Sequence, residues 1–182
     1  MRYLKVLLCF AVIVTLTACS SGRFMDLSGF VYNYNKVSAQ SVELTDFFMY
    51  YEDKNDFSLL KDNILLTVCH NAGGSIEQCR IMMLKKDENG NTADISTDAK
   101  SFAAMFKNTL QSYCGFDLTT AEKITEEFSL SDLQTYLKEG ELTKTQDRFY
   151  FVFYSDSLAC QMSIYDTYLK EIESTKKPSV KL

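Results

Sequence analysis

Apolar residues alternate with polar ones at Ile64, Leu66 and Val68, and again at Phe149, Phe151 and Phe153. Alternation of this kind puts one side of a strand into a core. "NILLTVCH" and "SIEQCRIMML" flank Asn71-Ala72-Gly73-Gly74, which predicts one hairpin, and "RFYFVFY" and "SLACQMSIY" flank Ser155-Asp156, which predicts another. "LTDFFMYYED" reads as a further strand, and Asn89-Gly90 as a tight turn. Elsewhere the spacing is helical. Phe30, Val31, Tyr34 and Val37 follow a cap at Ser28. Ala99, Phe102, Ala103, Phe106, Leu110 and Tyr113 share one face of a helix opened by Thr97 or Asp98 and closed at Gly115. Thr119 with Glu122 predicts a capping box for a helix carrying Ala121, Ile124 and Phe128, and a short turn runs from Asp132 to Lys138, stopped at Gly140. These elements predict an α+β fold, with an antiparallel sheet of about five to seven strands packed by two or three helices.

The two hairpins match in their return strands, where Cys79, Ile81 and Met83 correspond to Cys160, Met162 and Ile164. Each follows a helix with an early phenylalanine, Phe30 or Phe102, so the spacing suggests a tandem helix-plus-hairpin unit over 28–86 and 97–166. Register sharpens the cysteine positions. If Ile64, Leu66 and Val68 face the core with Cys79, Ile81 and Met83, then Cys69 lies on the opposite face from Cys79.

The first 18 residues carry a different pattern. Arg2 and Lys5 precede an uncharged apolar run from Val6 to Thr15. A bilayer span needs about 20 apolar residues, so this run suits the core of an export signal. Leu16-Thr17-Ala18-Cys19 then resembles the lipobox of bacterial lipoproteins. That resemblance implies cleavage before Cys19, a diacylglyceryl group on its thiol and anchorage to the extracytoplasmic face of a membrane. With Ser20 rather than Asp next, it does not imply retention at an inner membrane. The chain as a whole also resembles small lipoproteins of Gram-positive bacteria. The organisation so read is a signal over 1–18, a lipidated cysteine and tether over 19–27, one globular domain over 28–172 and a tail over 173–182.

Composition narrows the partners. Of 182 residues, 164 remain without the signal, with 17 basic against 24 acidic side chains. An acidic chain is a poor partner for nucleic acid or anionic headgroups. Beyond Cys9 in the signal and Cys19 at the lipid site, four cysteines remain: Cys69, Cys79, Cys114 and Cys160. They are candidates for disulfides or for buried thiols, with Cys79 and Cys160, at matching core positions, the favoured buried thiols or partners.

Candidate chemistry is sparse. His70 is the single histidine, so no histidine-based metal cluster can form, and on a strand it points away from Cys69, into solvent at a hairpin end. Ser75 lacks the glycine-flanked elbow of a nucleophilic serine. Asp87, Asn89 and Asn91 match the start of a calcium loop, but Thr92 replaces its glycine and Asp98 its final glutamate, which favours a plain turn. No metal or cofactor is called for apart from the lipid on Cys19. Tyr50, Tyr150, Val152 and Tyr154 fall on strand faces opposite the core and form the best candidate contact surface. The expected function is therefore a non-catalytic, membrane-anchored module that binds an envelope or extracellular protein or a peptide. The alternative is a carrier of a small apolar ligand, with a pocket between helices and sheet lined by Phe102, Phe106 and the hairpin phenylalanines. Cystatin-like and NTF2-like folds, and tandem helix-plus-sheet inhibitors, are similar in element order alone, which carries no function.

Overall fold

A computed structural model describes residues 25–49, 56–85 and 95–169. The fold is α+β. Helix α1 (Leu27–Val37) leads through a single 3₁₀ turn (Leu44–Asp46) to strands β1 (Phe48–Met49), β2 (Asp56–Lys61), β3 (Ile64–His70) and β4 (Ile76–Leu84). Helices α2 (Ile95–Ser112), α3 (Leu118–Glu127) and α4 (Leu133–Leu137) follow, then strands β5 (Gly140–Gln146), β6 (Phe149–Ser155) and β7 (Ala159–Asp166). All strand pairs are antiparallel, in the order β1-β2-β3-β4-β7-β6-β5. The sheet is thus two three-stranded meanders, β2–β3–β4 and β5–β6–β7, joined along β4 and β7, with the two-residue β1 added at the free edge of β2.

The join has its own register. Ile81 pairs with Met162, Cys79 with Ile164 and Met83 with Cys160. A half-turn about the Ile81/Met162 pair exchanges the two strands and brings Cys79 onto the position of Cys160. Across each meander, Leu66 pairs with Ile81 and Phe153 with Met162, so Ile64 and Leu66 correspond to Phe151 and Phe153 rather than to Phe149 and Phe151. Among the described residues, one helix precedes the first meander and three precede the second.

The helix starts are set by aspartates. Asp26, Asp117 and Asp132 each cap a helix by accepting a backbone N–H, from Gly29, Thr120 and Gln134 respectively. A short carboxylate reaches the orphan donors of the first turn and suits the positive helix end. Asp26 therefore replaces Ser28, and Asp117 replaces the Thr119–Glu122 box, as the operative signal. Met25 is also tied in, its carbonyl accepting from the Ile76 N–H at 2.8 Å. Gly115 ends α2 with φ +73°, the left-handed geometry glycine adopts without penalty.

The core lies between the helices and one side of the sheet. Helix α2 lies against β3 and β4 and packs against α1, α3 and α4. Its rings, with that of Tyr113 just past its end, meet those of β6 in sequence: Phe102 on Phe153, Phe106 on Phe151 and Tyr113 on Phe149, all close to edge-on. That geometry sets positive ring edges against negative faces. Phe128 and Tyr136 close the same cluster against Phe106 and Phe102. Tyr136 is fully buried, and its hydroxyl donates to the Leu130 carbonyl at 2.9 Å. Phe102, Phe106 and Phe151 are 0% exposed and fill the space between helices and sheet, while Phe153, 2% exposed, also lines a concavity of about 350 Å³ with Thr135, Gly140 and Leu142.

Candidate functional site

The register arranges the side chains of the other sheet face in three rows across the strands. The central row runs Ser58, Thr67, Arg80, Ser163, Val152, Thr143. On one side lie Leu60, Leu65, Met82, Gln161, Tyr154 and Glu141. On the other lie Asp56, Cys69, Gln78, Tyr165, Tyr150 and Thr145. Rows on one face of a strand stand about 7 Å apart, two residues of rise. Ser58, Thr67 and Ser163 are small and buried between longer neighbours, so the central row forms a trough with Arg80 rising from it. Among the described residues no helix covers this face.

At the β2–β3–β4 end the trough deepens into a cavity of about 300 Å³ lined by Asp56, Ser58, Leu65, Thr67, Arg80, Met82 and Gln161. Arg80 Nη2 donates to Asp56 Oδ2 at 2.9 Å, and the arginine side chain is 39% exposed. Below it the Ser58 and Thr67 hydroxyls share a hydrogen bond of 3.0 Å. Gln161 Nε2 donates to Ser163 Oγ at 3.0 Å. Cys69 adjoins this group, and burial, with Asp56 adding to it against Arg80, pushes its thiol up to about 11. Such a thiol stays protonated near neutral pH and is a poor nucleophile.

The contact residues expected from sequence fall here. Tyr150, Val152 and Tyr154 all stand on the helix-free face, Tyr154 exposed and the other two half-buried. Tyr150 pairs with Tyr165, their rings 6.3 Å apart and tilted by 34°. Tyr50 lies outside the described residues, as do Cys19, the Asn89-Gly90 turn, the 87–92 part of the calcium-like loop and the 173–182 tail. Asp98 belongs to α2, where it is buried and accepts from Asn63 Nδ2 at 2.9 Å. Arg80, Asp56 and Gln161 were not singled out by the sequence. A lone arginine on a strand carries no local signal, and only the β2–β3–β4 register puts Asp56 beside it.

The four cysteines are free thiols. Cys79 and Cys160 are fully buried on the core face, as their positions predict, but they are not partners. Their pairing with Ile164 and Met83 sets them four residues apart along adjacent strands. That is about 13 Å, beyond the span of about 7 Å between Cα atoms that a disulfide tolerates. Cys69 pairs with Gln78 while Val68 pairs with Cys79, so Cys69 does occupy the opposite face. Burial holds the Cys79 and Cys114 thiols well above their ordinary range. His70 is not left in solvent; it is half-buried with its ring edge-on to Phe57, 5.4 Å between centroids.

Two further polar clusters hold the structure together. Lys85 is buried and donates to Ser155 Oγ at 2.8 Å and to the Asp156 carbonyl, while Ser155 donates to the Tyr136 carbonyl at 3.1 Å. A lysine that donates to a serine, itself donating elsewhere and 1% exposed, ties the end of β4 to the β6–β7 turn rather than activating a nucleophile. Asp166, buried to 1% exposure, faces Arg148 at 3.1 Å. Burial raises its carboxyl above the usual range against the pull of Arg148. No group of three potential metal ligands occurs among the described residues. None of the described helices is long and apolar enough to cross a membrane.

A second concavity lies on the outer side of the helices. It measures about 590 Å³ and is lined by Ala99, Ala103, Leu130 and Leu133, with Lys100, Lys107, Glu122 and Glu126 among the polar residues around it. Lys107 and Glu122 pair across it at 3.4 Å. Comparison with known proteins finds no matching family model, no matching curated protein and no matching solved structure.

Proposed function

We propose that the protein is a lipid-anchored, extracytoplasmic binding module that engages a protein or peptide of the cell envelope through the helix-free face of its sheet. The face itself carries the reading. It gathers Tyr150, Tyr154, Tyr165, Val152 and Met82 around small hydroxyl residues, a mixture common in contact surfaces. The lipobox-like Leu16-Thr17-Ala18-Cys19 supports the anchor. Two acyl chains, at about 0.8 kcal/mol per buried CH₂, hold a protein stably where one does not. With Met25 already tied to β4, the six steps from Cys19 span at most about 20 Å, which keeps the domain near the membrane.

In-cell crosslinking of the tagged chain, followed by mass spectrometry, tests the binding module. One dominant partner is expected, lost in a Tyr150→Ala/Tyr154→Ala double variant that keeps its folded circular dichroism. Only random neighbours, or a partner indifferent to the two tyrosines, would remove the reading. Cys19→Ser is expected to abolish lipidation and leave the chain unprocessed or released; a processed, lipidated Cys19→Ser species would refute the anchor.

The groove over α2 and α3 favours a second reading, a carrier of an apolar ligand. Its volume falls within the range of about 300–1,000 Å³ typical of small-molecule sites. Native mass spectrometry of the gently purified chain is expected to show a bound mass for this reading, and an unoccupied chain would count against it.

A further inference from the structure

We infer that the Arg80 cavity receives the C-terminal carboxylate of a peptide, with the last side chain of that peptide lying against the paired Leu65 and Met82. This deepens the proposed function and rests on it.

The chemistry starts from the guanidinium. Asp56 takes one Nη2 hydrogen bond and so orients the fork, its own side chain only 12% exposed. Nε is buried and has no hydrogen-bond partner among the described residues. The side chain as a whole is 39% exposed and lines the cavity. Arginine binds carboxylates through paired N–H groups, a charge-assisted contact about twice as strong as a neutral one. The walls complete the match. Leu65 and Met82 offer apolar surface on one side of Arg80, while Gln161 stands next to Met82 in the same row. A cavity of about 300 Å³ holds a carboxylate and one or two terminal residues, no more. Beyond it the trough continues past Ser163 to Val152, where the tyrosines flank it, and this gives the preceding residues of the peptide a path.

Charge argues for a terminus rather than an acidic side chain within a long anionic segment. The chain carries net charge −5, and its one cation in these rows stands beside Asp56. A single carboxylate on an otherwise neutral or basic peptide meets Asp56 alone as a close like charge, with Arg80 between them, whereas a longer anionic segment would add further repulsion.

The test uses the full chain purified in detergent and a hexapeptide, Ser-Ala-Ser-Ala-Ala-Leu, bearing an uncharged dye at its N-terminus. Fluorescence anisotropy compares the free acid with the C-terminal amide. Binding of the acid is expected, with the amide weaker by at least about tenfold, the worth of one charge-assisted contact. Arg80→Gln is expected to bring binding of the acid down to that of the amide, and Arg80→Lys to retain part of the preference. Acid and amide binding alike, or no binding of either at millimolar peptide, would overturn the inference. The acid–amide comparison needs no variant, so it stands even if Arg80→Gln misfolds. A partner crosslinked through the tyrosines, alongside equal binding of acid and amide, would leave the binding module intact and sink the terminal carboxylate alone.

Discussion

At the scale of single residues, burial explains more than motif does. The Cys69, Cys79, Cys114 and Cys160 thiols are raised above their ordinary range chiefly by desolvation. Native protein at pH 7.5 is therefore expected to show none of these four reacting quickly with a thiol reagent, and all four reacting in denaturant; a fast-reacting native thiol mapped to Cys69, Cys79 or Cys160 would contradict their burial. The ring cluster predicts a large loss in the core. Phe106→Ala removes contacts to Phe128 and Phe151 and is expected to cost about 3–5 kcal/mol by urea unfolding. Asp117 and Asp156 are held below the ordinary carboxyl value of 3.8 by backbone N–H donors. A depressed carboxyl stabilises the fold above its unfolded value, and that contribution is lost as the pH falls through the folded one. An Asp117→Ala/Asp156→Ala variant should thus be less stable at neutral pH and lose less on acidification than the unaltered chain, as thermal melts at pH 7 and pH 3 would show. Much of the core was legible residue by residue, because Ile64, Leu66, Val68, Phe149, Phe151 and Phe153 alternate with less buried positions. Arg80 was not, because its meaning lies in neighbours remote in sequence.

At the scale of elements, helix periodicity and turn glycines were the dependable signals. Gly115 is the clearest, since a Cβ there meets nothing within 4 Å and only the positive φ opposes it. Gly115→Ala is expected to cost about 1–2 kcal/mol through backbone strain alone, measured by denaturant unfolding. An unchanged midpoint would mean that α2 can end in another way. Two strands left little trace in the pattern, each for its own reason. Asp56, Ser58 and Leu59 in β2 are buried on both faces, so alternation disappears. β5 is an edge strand, exposed along nearly its whole length, so Gly140–Gln146 reads as a polar connection. The aromatic stretch around Phe47 forms a 3₁₀ turn and a two-residue strand in its described part, since Glu43 and Asp46 cap that turn reciprocally.

At the scale of the whole molecule, one layer of helices and one sheet leave a single broad face uncovered among the described residues, and both the tyrosines and Arg80 belong to it. That division predicts that the double change Tyr150→Ala/Tyr154→Ala alters partner capture far more than thermal stability, whereas Phe106→Ala does the reverse. The α+β class, both long hairpins, the core faces of their strands and the segregation of Cys69 from Cys79 followed from sequence alone, because alternation, helical spacing and turn chemistry act within a few residues. The joining of β4 to β7, the separation of Cys79 from Cys160, the filled aromatic core and the Arg80–Asp56 cavity were decided only by the tertiary structure. Each depends on which strands pair and in what register, and that choice is made by packing between segments tens of residues apart.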